Sequence, residues 1–390
     1  MSDSTPSFLD PAVANDPYPF YAHLRHEAPV GPVGLMDLWG IARYDDVVRV
    51  LRDPDTFSSV VGLRRLAGED LPPSMLFNDP PVHTRLRGLI AKAFTPRVVE
   101  RQRDVITARC RELVGAMLDG NDPDIVLDLA YPLPVMVISH MLGVADGDQA
   151  TFKRWSDAII ENIAPILLTG DDSMLTDVNR EFDAYFSRRL EKLRREPEDN
   201  LLSELVHVET DEGRLSELEL LMFCRLLLVA GNETTTGLIV HATRAFSEHP
   251  EVLRRVRDDL GLLPAAIEEA LRYYAPFQAT FRRTTREVTL SGRTNPANTR
   301  LLVFLGSANR DETVFPRPDE FLLDRGNNRH VAFGMGIHYC VGAPLARLEA
   351  QIAIGELLRR LPDARLVDER TTWRPTLVLR GLASLPLARG

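Results

Sequence analysis

The chain has 390 residues, 44% of them hydrophobic, so it can bury a large core. Its formal net charge of −10 argues against nucleic acid or an anionic membrane surface as the main partner, because phosphate binding needs a basic footprint. The cysteines, Cys110, Cys224 and Cys340, are odd in number and widely spaced, which argues against a disulfide framework and for a reducing compartment.

The start of the chain is polar and proline-rich, without a basic and then apolar leader, so we expect a cytoplasmic protein. The longest apolar run, Leu218 to Ala230, is interrupted by Glu219 and Arg225 and is too short to span a membrane. No low-complexity linker or fixed-period repeat divides the chain. We therefore expect a polar segment over residues 1–15 and a single domain over residues 16–390.

Apolar residues recur at three- to four-residue spacing along most of the chain, which predicts helices. The predicted helices span residues 45–51, 81–94, 97–118, 148–160, 178–195, 216–247, 251–260, 265–274 and 343–361. Alternating or β-rich stretches between turn residues predict short strands at residues 38–42, 280–290, 299–305 and 377–386. The predicted fold class is mainly α with small β-sheets, an α+β protein.

The helix predicted from Ser216 begins with a capping box, since Glu219 follows three residues later. Its periodic stretch of about thirty residues would be about 45 Å long, so it must cross the core. Gly231 and Thr234 in its middle disfavour helix, because Gly costs about 1 kcal/mol relative to Ala and Thr can bond back to the carbonyl four residues earlier. Ala230 and Thr234 share one face, where together they would leave a groove.

A glycine-punctuated loop near the C-terminus carries one thiol just ahead of a predicted helix. It reads Phe333-Gly-Met-Gly-Ile-His-Tyr-Cys-Val-Gly342, and Pro344 suits the first turn of the helix that follows. Cys340 therefore lies at the positive end of a helix, which predicts a lowered thiol pKa and a stable thiolate. The backbone N–H groups of Val341 and Gly342 are predicted to donate to the sulfur.

The pattern Phe-Gly-x-Gly-x-His-x-Cys-x-Gly resembles the haem-binding loop of the cytochrome P450 family, and the resemblance runs from about Asp16 to Pro386. It implies that Cys340 is the axial ligand of the iron of haem b, with Phe333 and Gly334 against the cofactor. It also implies a single triangular, helix-rich domain whose long central helix lies over the haem. A thiolate ligand pushes electron density onto iron and favours O–O cleavage.

The centre of the long helix is similar to the oxygen-activating segment of the same family. In Ala230-Gly-Asn-Glu233-Thr234, the resemblance makes Glu233 the acid of a proton relay and Thr234 its hydroxyl, beside a groove for dioxygen at Ala230. Glu stands where other members have Asp. For this segment alone, a bent helix with a satisfied Thr is the alternative interpretation.

Four side chains match the partners that the family uses for the two haem propionates. They are His83 and Arg87, one turn apart on a predicted helix, Arg283 in a predicted strand, and His338 in the cysteine loop. Each of them alone is compatible with a solvated surface side chain. Their order along the chain, however, is the order found in the family.

Glu269 and Arg272 match the Glu-x-x-Arg element of the family and are predicted to pair on one helix face. The resemblance gives the pair a structural role behind the haem, because a buried pair specifies packing more than it stabilises. Many members complete this element with an Arg just before the Phe of a Pro-x-x-Phe segment. Glu320 stands at that position here, so the third member stays open.

The substrate pocket of the family corresponds to mostly aliphatic positions of this chain, which predicts an apolar guest. These positions are Met75, Leu76, Phe77, Ile163, Ile166, Leu167, Leu226, Val229, Phe277, Gln278, Ala279, Val378 and Leu379. Gln278 is the candidate for a polar anchor. For each residue taken singly, a place in the core is the alternative interpretation.

Together these features imply a haem-thiolate monooxygenase that inserts one atom of O2 into an apolar small molecule, by hydroxylation or epoxidation. The candidate substrates are terpenoids, steroids, fatty acids and polyketides of secondary metabolism. Electrons are expected from NAD(P)H through a separate ferredoxin and ferredoxin reductase, because the chain lacks a dinucleotide-binding glycine motif. We expect a monomer, with Arg347 on the surface that docks the electron donor.

Two other functions stay open from the sequence. A non-catalytic haem-binding sensor or recruitment protein on the same fold would also retain Cys340, although it has no need of Glu233 and Thr234. A Cys–His hydrolase would use Cys340 and His338 without haem.

Overall fold

The computed structural model describes residues 8, 10–35, 37–61, 73–169, 171–211, 213–361, 365–367, 370–374 and 378–388. Its helices are α1 (Pro11–Asn15), α2 (Tyr18–Glu27), α3 (Tyr44–Arg52), α4 (Val82–Ala93), α5 (Pro96–Arg101), α6 (Arg103–Asp119), α7 (Pro132–Met141), α8 (Gln149–Thr169), α9 (Thr176–Arg195), α10 (Leu201–His207), α11 (Glu217–Glu248), α12 (Pro250–Asp258), α13 (Leu263–Tyr273), α14 (Leu305–Ala308) and α15 (Ala343–Arg360). A π-helical turn at Val126–Ala130 and 3-10 turns at Asp146–Asp148, Ser173–Leu175, Leu260–Leu262 and Gly336–His338 lie between them.

The strands are short and form small sheets. They are β1 (Val30–Pro32), β2 (Trp39–Ile41), β3 (Phe57–Ser58), β4 (Ala279–Thr284), β5 (Val288–Leu290), β6 (Arg293–Asn295), β7 (Arg300–Phe304), β8 (Arg365–Leu366), β9 (Thr372–Trp373), β10 (Leu382–Ser384) and β11 (Leu387–Ala388). Within the described residues, five strands form a sheet in the order β1-β2-β7-β4-β3, in which β2 and β7 are parallel and the other pairs antiparallel. The mainly α fold class with small sheets is therefore confirmed.

The helix α11 has the length and start that the sequence predicts. Ser216 Oγ accepts a hydrogen bond from the N–H of Glu219 at 3.3 Å, and Glu219 Oε2 accepts one from the N–H of Ser216 at 2.8 Å. Every residue from Thr235 to Ala242 is buried, so this part of α11 is surrounded on all sides. It packs against α7, α13 and α15, which makes α11 the central element of the helical layer.

The predicted helices are present with shifted ends, and the stretch 97–118 is divided at Gln102 into α5 and α6. The helix predicted to end at residue 160 continues to Thr169. The strand predicted over 280–290 is interrupted after Thr284 and resumes as β5. The sequence did not predict α1, α2, α7, α10 or α14.

The buried apolar side chains of the described residues form three clusters, one among the helices and one on each face of the five-stranded sheet. The largest cluster of buried apolar side chains lies among the helices, around residues such as Leu238. In β7, Leu301 and Val303 belong to a second cluster and Leu302 and Phe304 to a third, because successive side chains of a strand point to opposite faces. None of the described helices combines the length and apolar character needed to cross a membrane.

Candidate active site

The loop that carries Cys340 folds back on itself ahead of α15. The N–H of Cys340 donates to the carbonyl of Phe333 at 2.9 Å, which closes the loop. Gly334 and Gly336 have φ angles of 69° and 72°, in the left-handed region that favours glycine. A Cβ on Gly336 would also clash with the backbone carbonyl of Leu51, so this turn packs closely on the end of α3.

Hydrogen-bond donors and a nearby cation lower the pKa of the Cys340 thiol, but burial raises it by more. The N–H groups of Gly342 and Ala343 donate to the sulfur, where the sequence predicted Val341 and Gly342, and Arg87 interacts with its charge. Burial nevertheless raises the pKa of the thiol. For the polypeptide alone, the lowered pKa predicted from the sequence is therefore wrong.

A cluster of donors and cations lies beside the cysteine loop. His83 of α4 and His338 have ring centroids 4.3 Å apart, and His338 Nε2 lies 2.9 Å from Ser59 Oγ. Both ring nitrogens of His83 are buried without a hydrogen-bond partner in the described structure. Burial, with the nearby Arg282 and Arg87, lowers the pKa of His338 to about 3. The cluster therefore combines neutral imidazole donors with positive charge, which suits an anionic ligand. We call His83, His338, Arg87 and Arg282 the anion-binding cluster.

Arg283 does not join this cluster, and the sequence prediction for it is wrong. The Arg282 side chain is only 6% exposed and interacts with the rings of His83 and His338, whereas Arg283 donates to the side chain of Asn298. Successive side chains of a strand point to opposite faces of the sheet, so Arg282 and Arg283 project from opposite faces of β4. Burial lowers the pKa of Arg282 to about 10, which still leaves it charged at neutral pH.

One face of α11 stays open although the helix crosses the core. Leu226, Val229 and Thr234 are partly exposed, and Ala230 is exposed. Thr234 Oγ donates to the carbonyl of Ala230 at 2.6 Å, as predicted for a Thr inside a helix. The sequence prediction of a groove along this face agrees with these exposures.

Glu233 points away from that groove into a polar contact. Its Oε2 lies 3.1 Å from Arg374 Nη1, and the guanidinium of Arg374 lies over the ring of Tyr131 with 5.4 Å to the centroid. Burial raises the pKa of Glu233, while Arg374 lowers it and Asp157 raises it further. Arg374 was not predicted from the sequence, because it lies in a C-terminal segment without a motif.

The pair Glu269 and Arg272 is buried in α13 and bidentate, with distances of 2.8 and 2.9 Å. Arg272 also donates to the backbone carbonyls of Pro318 and Glu320. Arg325 is the third member, since its Nε lies 3.1 and 3.0 Å from the two carboxylate oxygens of Glu269. Arg325 follows the Pro-x-x-Phe segment in the sequence. The residue just before the Phe is Glu320, which contributes its backbone carbonyl to Arg272.

A small cavity adjoins the open face of α11. Met75 and Leu226, two of the predicted pocket residues, line it together with Leu86, Ile90 and Phe223. Since Leu86 and Ile90 lie on α4, this helix carries part of the cavity wall as well as His83 and Arg87.

Other predicted pocket positions divide between cavity and core. Ala279 and Val378 belong to a core cluster, and Gln278 accepts from the hydroxyl of Tyr21 at 3.0 Å and donates to the carbonyl of Ala275. The prediction of Gln278 as a free polar anchor is therefore wrong, because its amide is already bonded. The side chains of Leu76, Phe77, Ile166, Phe277 and Leu379 are partly or largely exposed. The backbone of Ile163 and Leu167 is part of α8, but their side chains are outside the described part of the structure.

Comparisons with known proteins agree over nearly the whole chain. The family profile of cytochrome P450 matches residues 33–364. Cytochrome P450 monooxygenase PikC of Streptomyces venezuelae is 41% identical over 387 residues, which cover 96% of this chain and 91% of PikC.

Solved structures agree equally well. Cytochrome P450 CYP109Q5 from Chondromyces apiculatus has a TM-score of 0.90 at 39% identity, covering 99% of both chains. CYP109E1 from Bacillus megaterium, in complex with testosterone, has a TM-score of 0.88 at 36% identity, covering 96% of this chain and 99% of that one. The resemblance inferred from the sequence is confirmed, and the chain belongs to the cytochrome P450 family as a homologue of its monooxygenases.

Proposed function

We propose that this cytochrome P450 monooxygenase holds haem b through Cys340 and oxidises an apolar small molecule with O2. The observation that carries the proposal is His83, whose two buried ring nitrogens lack partners in the described structure beside His338, Arg87 and Arg282. The two propionates of haem need such donors and cations. Because Arg87 also interacts with the Cys340 thiol, the anion-binding cluster and the sulfur adjoin one another.

When bound, the haem supplies the activation of dioxygen, and a thiolate ligand favours O–O cleavage. The chain itself orients the cofactor, shields the sulfur and supplies protons. The N–H groups of Gly342 and Ala343 donate to Cys340 Sγ and so stabilise its charge. The exposed Ala230 leaves room beside Thr234 for a small ligand.

Glu233 and Thr234 hold and move protons in this proposal. Burial raises the pKa of Glu233, so its carboxyl keeps a proton more readily than an exposed glutamate does. Its partner Arg374 is partly exposed and connects the carboxyl with the surface. The hydrogen of Thr234 Oγ is directed to the Ala230 carbonyl, which leaves the lone pairs of the oxygen to accept another hydrogen bond.

The substrate is proposed to be apolar, because the partly exposed side chains Met75, Leu226 and Val229 that border the open face of α11 are apolar. The relative CYP109E1 was solved with testosterone bound, so steroids are the first compounds to test. Terpenoids, fatty acids and polyketides are the next classes.

The electrons are proposed to come from NAD(P)H through a separate ferredoxin and ferredoxin reductase. The outer side of the cysteine loop reaches the surface, since Tyr339 is 40% exposed and Pro344 is also exposed. A small redox protein can therefore approach the loop from that side.

The test compares ferrous–carbon monoxide spectra of the wild type, C340S and C110S. We expect the band of a thiolate ligand in the wild type and in C110S, whose thiol is buried in α6, and its loss in C340S. A thiolate band that persists in C340S would contradict the assignment. A wild type that stays colourless after reconstitution with haem would favour the Cys–His hydrolase.

A second step separates the enzyme from a non-catalytic haem protein. Apolar compounds are screened by the change of the haem spectrum on binding, and those that bind are incubated with NAD(P)H, ferredoxin and reductase. We expect an oxidised product from at least one of them. Spectral binding without any product would favour the sensor or recruitment role.

A further inference from the structure

Two adjacent glutamates of α13 serve different networks, because neighbouring residues of a helix point about 100° apart. Glu269 belongs to the buried network with Arg325 described above. Glu268 instead faces the cysteine loop and accepts from Arg347 Nε and Nη2 at 2.6 and 2.8 Å. The Arg347 side chain is 27% exposed and held in this pair, and its place on the docking surface stays a prediction.

Arg347 contacts both limbs of the cysteine loop. Its guanidinium lies over the ring of Phe333, 4.5 Å from the centroid, where the loop begins. Its Nη1 lies 3.4 Å from the hydroxyl of Tyr339, the residue before Cys340. Because the N–H of Cys340 bonds the carbonyl of Phe333, Arg347 spans the two limbs that close around the sulfur.

His330 extends the same network to the entry of the loop. Its Nδ1 accepts from the N–H of Ala332 at 3.3 Å, so its Nε2 carries the hydrogen and donates to Glu268 at 3.1 Å. Burial raises the pKa of Glu268, but the hydrogen bonds from Arg347 and His330 outweigh it and bring this pKa down to about 2. Glu268 is therefore an anion that orders two donors around the loop.

We propose that Glu268 is a positioning residue for the cysteine loop and acts through Arg347. This inference rests on the proposed binding of haem by Cys340. Glu268 lies on α13 and Arg347 on α15, two helices that pack against each other, so the pair ties the loop to the helical core. Glu268 also balances the charge of Arg347, which is near enough to interact with the Cys340 sulfur.

The two charges of the pair act on the haem in opposite directions. Without Glu268, Arg347 becomes an unbalanced positive charge near the thiolate, which favours the reduced and more negative centre. Without Arg347, Glu268 becomes an unbalanced negative charge and disfavours reduction. A pair that only stabilised packing would move both single variants in the same direction.

The test uses the haem-loaded variants E268Q, R347Q and E268Q/R347Q, with E181Q as the matched control. Glu181 on α9 also accepts from an arginine, Arg154, and from an aromatic side chain, Trp155. The measured quantities are the haem reduction potential and the fraction of the ferrous–carbon monoxide complex that has the thiolate band. We expect a higher potential in E268Q, a lower one in R347Q, and an intermediate one in the double variant. The thiolate fraction should fall in both single variants and not in E181Q.

Equal potentials in all variants, or shifts of the same sign in both single variants, would overturn the inference. If the wild type itself lacks the thiolate band, the proposed function fails instead. Should E268Q not retain haem, E268D keeps the charge with one methylene less. A smaller thiolate fraction in E268D than in E181Q then supports the positioning role, and an equal fraction overturns it.

Discussion

At the scale of single residues, Arg282 and Arg283 have the same chemistry and different surroundings. Arg282 is buried beside His83 and His338, while Arg283 bonds Asn298. We predict that R282Q weakens haem binding by roughly 10- to 100-fold, because a hydrogen bond to a charged group contributes about 1.5–3 kcal/mol. The R283Q variant should bind haem like the wild type.

The measurement for this pair is the rate of haem transfer from each variant to an excess of apomyoglobin. The adjacent arginine is a close control, because both variants remove the same charge from the same strand. Equal losses in R282Q and R283Q would mean that strand stability, and not the contact with the cofactor, determines haem affinity.

Thr234 and Thr243 bond back to carbonyls of the same helix, at 2.6 and 2.8 Å, but only Thr234 adjoins the exposed Ala230. We predict that T234A lowers the yield of oxidised product per NAD(P)H by about tenfold or more, since positioned groups that transfer protons contribute about two orders of magnitude or more to many reactions. Consumption of NAD(P)H should continue, with peroxide rising. The variant T243A should behave as the wild type, and an unchanged yield in T234A would remove Thr234 from the relay.

The contact between Arg374 and Glu233 gives a prediction on pH. Burial raises the pKa of Glu233 and Arg374 lowers it, so the R374Q variant should raise this pKa further. The carboxyl then keeps its proton to higher pH, and the loss of product yield on the alkaline side should move to higher pH. The measurement is the yield per NAD(P)H as a function of pH, and a profile that moves to lower pH would contradict the role of Glu233 as proton donor.

How much of the site the sequence could predict depends on how local each contact is. The closed loop around Cys340 and the bond from Thr234 back to Ala230 involve near neighbours, so a motif can predict them. Arg282 and Arg374 depend instead on strand facing and on the return of the C-terminal segment to α11. Neither is fixed by spacing within a motif, and so the sequence predicted the wrong arginine in one case and none in the other.

At the scale of elements, α13 is tied to the segment that follows β7 by the buried carboxylate of Glu269. We predict that R325Q lowers the free energy of unfolding by about 3–5 kcal/mol, because a buried charge then loses a partner. The control E320Q removes an exposed pair with Arg317 and should cost less than about 1 kcal/mol. Urea unfolding of both haem-loaded variants measures the difference. Equal costs would show that the donors that remain on Glu269, which are Arg272, Asn328 and the N–H of Leu322, compensate its charge.

Amphipathic helices were predicted well, because one face is buried and the other is exposed to solvent. Their apolar residues therefore recur at a regular spacing of three to four residues. The helix α7 was missed for the opposite reason, since side chains around its whole circumference, from Leu133 to Met141, are largely buried. Its two early prolines, Pro132 and Pro134, also suit a loop as well as a first helical turn. The spacing of apolar residues therefore does not reveal a helix that is enclosed on all sides by other elements.

At the scale of the whole molecule, the candidate site combines segments from most of the chain. Ser59 follows β3 and meets His338 of the cysteine loop, and Arg282 comes from the neighbouring strand β4. The pairing of β3 with β4 is what brings these parts together. Spacing along the sequence contains no information on such a pairing. The complete anion-binding cluster could therefore be identified only from the folded chain.

Glu349 makes the stability of the whole molecule dependent on pH. It is buried in α15, its Oε2 has no hydrogen-bond partner in the described structure, and burial raises its pKa from 4.5 to about 8. Between pH 4.5 and about pH 8, Glu349 keeps its proton in the folded chain and loses it in the unfolded chain. Stability therefore falls as pH rises through this interval, by up to about 1.4 kcal/mol per pH unit.

We predict that E349Q removes this slope, because glutamine cannot ionise. The measurement is the urea midpoint of the haem-loaded protein at several pH values between 4.5 and about 8. Relative to E349Q, the wild type should lose stability steadily with rising pH, while the exposed control E181Q should follow the wild type. Parallel curves for E349Q and the wild type would mean that the folded chain accommodates the Glu349 carboxylate, and the pH dependence would then have to arise from other groups.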